Sequence, residues 1–130
     1  MNEIGPQVLR FGVVGIVATA THFVVALMLI SGGVAALWAN GVAFFVAFHI
    51  SFLGHRRFTF AERKLAAIVS MRRFALTALG GFALSETLLG ALLAFTTLAA
   101  SLALAITLAT VAAVTFVVSR HWAFGVAKNE

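Results

Sequence analysis

Cysteine is absent from this chain, so it has no disulfide framework, no thiolate metal site and no thiol nucleophile. Charge is almost as scarce, at 10% of residues. No Asp, Glu, Lys or Arg occurs between Arg10 and Arg56, and between Arg73 and Arg120 the only one is Glu86. Several catalytic patterns are missing as well. There is no glycine-rich phosphate loop before a helix, no His-x-x-x-His or carboxylate cluster for a metal, and no nucleophile elbow. These absences disfavour a cofactor, a metal centre and most enzyme classes.

What remains is apolar. With 130 residues, 62% of them hydrophobic, and a mean hydropathy of +1.09, the chain carries more apolar surface than a soluble domain of its size can bury. It belongs in a bilayer. A spanning helix takes roughly 20 residues, and each uncharged run is about twice that, so each folds back once. Ser31-Gly32-Gly33 breaks the first run, and the stretch from Thr96-Thr97 to Ser101 breaks the second. Isolated strands would leave backbone groups unpaired in lipid, so the spans are helical. The reading is an all-α, integral membrane four-helix bundle in a single domain, with helices at about 10–31, 35–54, 73–95 and 101–119 and a loop at about 55–72. Met1 to Gln7 carries one acid and no base, and the apolar stretch from Phe11 is longer than a signal-peptide core. The first helix is therefore expected to stay in the mature protein.

All nine basic residues fall in the N-terminal flank, the central loop or the C-terminal flank, and the two short turns have none. The positive-inside rule then predicts that both termini are cytoplasmic. A net charge of +5 fits this topology and attraction to anionic headgroups better than nucleic-acid binding.

The chain also repeats itself. The stretch from Phe52 to Phe60 (Phe-Leu-Gly-His-Arg-Arg-Phe-Thr-Phe) aligns with that from Phe116 to Phe124 (Phe-Val-Val-Ser-Arg-His-Trp-Ala-Phe) at an offset of 64, and Arg10-Phe11 aligns with Arg73-Phe74 at an offset of 63. The bundle therefore consists of two similar helical hairpins. Arg56, Arg57 and Arg120 would lie at headgroup level, where guanidinium forks grip phosphate oxygens, with Trp122, Phe58, Phe60 and Phe124 in the interface. Two copies converging on one membrane face suit a lipid phosphate; a single copy would be an ordinary basic-aromatic anchor.

Four polar residues lie within the spans. Glu86 comes 13 residues after Arg73 and His22 12 after Arg10, which puts both near the bilayer centre at ~1.5 Å per residue. A carboxylate there must be protonated, paired or facing a wet cavity. A His22–Glu86 pair would relieve the burial of either group. Ala83 and Gly90 flank Glu86, and Gly15, Ala18 and Ala26 flank His22, giving small-residue faces for close helix packing. Asn40, near the outer surface, and His49, about two turns from the inner one, are weaker members of the same polar path. The plain alternative for all four is a hydrogen bond between helices.

At these residues the chain resembles the GtrA-like family of small four-helix bacterial membrane proteins. The resemblance rests on Arg10-Phe11-Gly12-Val13-Val14-Gly15, on Ala39-Asn40 and on the two signatures, which are similar to a Phe-x-x-Asn-Arg-x-Trp-x-Phe pattern. His55 and Ser119 stand where Asn is typical, Phe58 where Trp is, and His22 near a position that often carries Asp. The resemblance implies a multi-pass protein of the bacterial cytoplasmic membrane that translocates a polyprenyl-phosphate-linked sugar for cell-surface polysaccharide synthesis. A flippase or flippase subunit without covalent chemistry is the leading expectation. A membrane anchor recruiting a glycosyltransferase is the alternative, and a small proton-coupled multidrug exporter a more distant one. Four helices make a narrow bundle, so a sugar-sized passage predicts a homo-oligomer.

Overall fold

A computed structural model describes the backbone of residues 4–59 and 64–118. Four helices account for almost all of it: α1 (Ile4–Ser31), α2 (Ala36–Gly54), α3 (Lys64–Phe95) and α4 (Ala100–Val118). Helix α2 runs directly into a π-helical turn, His55–Thr59. No strand occurs among the described residues. Each helix holds a segment long and apolar enough to span: Leu9–Ser31, Ala36–Phe58 (with the π turn), Met71–Phe95 and Ala100–Val118.

Two boundaries depart from the sequence reading. Helix α1 begins at Ile4 rather than near residue 10, because Pro6 falls in its first turn, where no N–H partner is needed. The central segment, expected as a loop over 55–72, is largely helical, with the π turn at its start and α3 from Lys64 onward. The charges of this segment mark an interface. They do not stop a helix, and Lys64 to Arg73 contains neither glycine nor proline.

Glycine closes the first hairpin. Gly33 has φ +93°, Gly33 N–H donates to Ile30 C=O (3.0 Å) and Val34 N–H to Leu29 C=O (2.9 Å). This is a Schellman ending, in which a left-handed residue past the helix satisfies its last carbonyls. At the second turn the Thr96 hydroxyl bonds back to Leu92 C=O and accepts from Leu98 N–H.

Helix α1 packs mainly on α2 and α3 mainly on α4, while α2–α3 and α1–α4 contacts join the hairpins. Small residues bring the axes together. Ala39, Ala43, Ala47 and Ser51 form one buried stripe on α2, and Ala18, His22 and Ala26 form one on α1. The core draws on every helix through Ala26, Ala43, Leu89, Ala103 and Leu104, all fully buried. Ala39 and Ala43 of α2 correspond, 64 residues on, to Ala103 and Thr107 of α4, and all four are buried. The repeat is thus expressed in the packing. Thr21, Thr77, Thr87, Thr107 and Thr110 bond to carbonyls four residues back, which satisfies their hydroxyls in an apolar setting. The outer surface is apolar, as bilayer contact requires, with Ile16, Met28, Phe45 and Phe95 among its exposed side chains.

Candidate functional site

The intramembrane polar residues meet at one node. His22 Nε2 donates to Asn40 Oδ1 (2.7 Å), and Asn40 Nδ2 donates both to Ser85 Oγ (2.9 Å) and to Glu86 Oε1 (2.7 Å). Both of the amide's N–H donors are committed to α3, so its oxygen is the acceptor for α1. That fixes His22 as the donor through Nε2. The imidazole and the carboxylate are therefore joined through Asn40. His22, Asn40 and Ser85 are buried, and Glu86 is half-buried at the edge of the node.

His22 and Glu86 are each nine residues from the turn end of their helices, and they are repeat equivalents at the offset of 64. The equivalent of Asn40 is Leu104, which is fully buried in α4. One asparagine thus serves both halves. Counted along α2 alone, Asn40 belongs near the membrane surface, four residues into its helix. The structure ties it to deeper partners, because depth in a bundle also depends on how neighbouring helices tilt and offset. The buried face of α3 differs as well: Ser85 and Leu89 are its most buried positions, while Ala83 is exposed.

His49 does not join the node. It lies nine residues beyond Asn40, about 180° around a helix of 3.6 residues per turn, and its Nδ1 donates to Phe45 C=O (2.8 Å) in its own helix. It shares the exposed face of α2 with Val42, Val46 and Leu53.

At the other end of the bundle the first signature folds around His55. Its ring is buried, stacked on Phe11 (4.6 Å, 21°) and edge-on to Phe74 (4.8 Å, 71°). The two aromatic residues that match in the sequence repeat thus clamp one imidazole. Gly54 precedes it because a Cβ there would lie 2.8 Å from Val14 Cγ1, so only glycine lets α1 and α2 approach this closely.

The π turn sends Arg56 and Arg57 outward, both exposed. Arg57 and Arg10 border an open groove of about 590 Å³ between α1 and α2, walled by Val13, Val17, Leu53 and Phe58. Arg10 Nη1 also donates to Phe58 C=O (3.4 Å). Arg56 does not line this groove. Arg120, Trp122, Phe60 and Phe124 lie outside the described residues.

A second open pocket, of about 440 Å³, lies between α2 and α3 at the turn end, and Glu86 is its one ionisable wall residue. Among the described residues no group of three or more His, Asp or Glu side chains could hold a metal.

The family described as GtrA/DPMS, transmembrane domain, matches residues 10–124. The chain belongs to this family. It is a multi-pass membrane protein of lipid-linked sugar and polysaccharide processes. No curated protein and no solved structure matches it. In this family member, residue-by-residue reading missed three participants. Ser85 was masked by its neighbour Glu86, whose charge draws attention first. His55 reads as a departure from an Asn position, and the matching of Phe11 with Phe74 in the repeat gives no hint that both rings pack on it. Arg10 reads as a helix-one flank until the fold sets it beside Arg57.

Proposed function

We propose that this protein is a flippase, or a flippase subunit, that moves a polyprenyl-phosphate-linked sugar across the bacterial cytoplasmic membrane. The observation that carries the reading is the groove between α1 and α2. Two guanidinium groups, Arg10 and Arg57, border a trough whose other walls are apolar, which matches a phosphate at headgroup level above a hydrocarbon chain. Arg56 follows in the same π turn, and the sequence repeat adds Arg120 and Trp122 as further residues proposed to bind the phosphate.

The sugar travels along the outer face of α2 in this reading. Leu53, His49, Val46 and Val42 form one exposed stripe from the groove toward the pocket that holds Glu86. Glu86, held from behind by Asn40 and His22, then supplies the polar partner for hydroxyls deeper in the membrane. A path inside the bundle is blocked by the fully buried residues of all four helices, so a second copy of the chain covers the stripe and the working unit is a homo-oligomer. No covalent step is needed. The arginines face the cytoplasm, where the lipid-linked sugar is loaded.

Reconstituted vesicles carrying a fluorescent polyprenyl-phosphate sugar test this. Replacing Arg57 or Arg120 by Ala removes a charge-assisted contact worth about 1.5–3 kcal/mol, an affinity loss of roughly 10- to 100-fold. Lys restores part of it, lacking the planar fork. Normal movement by both Ala variants would remove the phosphate site. Normal movement together with lost co-purification of a glycosyltransferase would favour the anchor role instead.

A further inference from the structure

The turn-end pocket combines aromatic walls with one carboxyl. Along α2 it presents Trp38, Gly41 and Phe45, at spacings of three and four residues, and along α3 it presents Phe82 and Glu86, four apart. These spacings place each set on one helix face. Phe82 is held by stacking on Phe44 (4.5 Å, 25°), and Gly41 lies beside it, a Cβ there meeting Phe82 Cζ at an ordinary van der Waals distance of 3.8 Å. Trp38 is 76% exposed. Three aromatic side chains thus surround an opening in which the single charged wall group is a carboxyl.

That carboxyl is half used. Glu86 Oε1 accepts from Asn40 Nδ2, while Oε2 has no hydrogen-bond or ionic partner among the described residues, and no Lys or Arg lines the pocket. Aromatic faces attract cations through the ring quadrupole and repel anions. A carboxylate among them adds a counter-ion at a depth where an unpaired charge is disfavoured.

We propose that this pocket binds an ammonium-bearing ligand, with Glu86 as counter-ion and Trp38, Phe45 and Phe82 as aromatic walls. The ammonium belongs to an amine on a transported sugar, to an ethanolamine headgroup or to a free organic cation. The site does not depend on the flippase reading, and it stands or falls by binding rather than by transport.

Trp38 and Trp122 are the two tryptophans of the chain, so in purified Trp122→Phe protein the fluorescence of Trp38 reports the pocket directly. Benzyltrimethylammonium should quench it saturably, at least 10-fold more tightly than neopentylbenzene, the uncharged carbon isostere. Glu86→Gln keeps an oxygen for Asn40 and loses the charge, and it should weaken ammonium binding at least 10-fold while leaving the isostere unaffected. Displacement by glucosamine but not glucose assigns the amine to a sugar, and displacement by phosphatidylethanolamine but not phosphatidylglycerol assigns it to a headgroup. Displacement by neither, with charge discrimination intact, assigns it to free organic cations. Equal binding of the ammonium and its isostere by the parent overturns the proposal, as does undiminished ammonium binding by folded Glu86→Gln. Should Glu86→Gln fail to fold, the parent comparison decides alone.

Discussion

Asn40 is the residue on which three helices depend, and replacing it by Leu isolates that dependence. Leu is a fair steric probe, because the repeat-equivalent position in α4 is Leu104 and is fully buried. The substitution deletes the bonds to His22, Ser85 and Glu86. Interhelical hydrogen bonds in membranes average about 0.6 kcal/mol, so three amount to roughly 2 kcal/mol. The orphaned His22 N–H adds about 1–3 kcal/mol, since it is buried and loses its acceptor. Glu86 adds less, because it borders an open pocket. The expected loss for Asn40→Leu is therefore about 3–5 kcal/mol in reversible unfolding in mixed micelles. Glu86→Gln, which keeps an acceptor for Asn40, should stay within roughly 1 kcal/mol of the parent. Making the node wholly apolar, with Leu at 22, 40 and 86 and Ala at 85, should recover most of the loss, because no polar group is then left unpaired. An Asn40→Leu protein as stable as the parent would refute the node as a structural tie. A fourfold variant no better than Asn40→Leu would refute the orphaned-group reasoning.

Three further outcomes follow from the geometry. Nitrogen-15 NMR of labelled histidine should find neutral His22 as the Nε2–H tautomer, because Asn40 offers it an oxygen, and an Nδ1–H signal would reverse the assigned amide orientation. Gly54→Ala should destabilise by about 1–3 kcal/mol through overpacking on Val14, and Val14→Ala in the same chain should relieve it; full stability of the single variant would mean α1 and α2 do not approach as described. In the Cys-free chain, cysteines at Gly33 and Ala100 should react with an impermeant thiol reagent from outside intact cells, and one at Lys64 should not; labelling of Lys64 from outside would invert the orientation.

Much of the fold was legible in the residues. Two uncharged runs, each twice a membrane span, leave four helices as the way to satisfy the backbone in lipid. Ser31-Gly32-Gly33 announces a reversal because Gly33 tolerates a left-handed conformation. The helical central segment was less legible, since charge signals where a bilayer ends and says little about where a helix does. The site was legible in part. Scarcity made Glu86 and His22 conspicuous and left a direct pair or separate interhelical bonds open, whereas the mediator is Asn40, whose place in its own helix suggested a shallower depth.

By itself the sequence determined the class of the protein, the number of spans, the repeat and the identity of the polar residues, because these follow from transfer free energies and from spacing along one chain. Tertiary structure decided which of those residues meet. Helix rotation turns Asn40 inward and His49 outward, and the packing of α3 turns Ser85 into the core while leaving Glu86 at the rim of a pocket. Gly54 and Val14 bring α1 and α2 together at the π turn, where Arg10 and Arg57 border one groove. Helix rotation, tilt and axial offset are set by side chains distant in sequence, so local spacing carries no record of them.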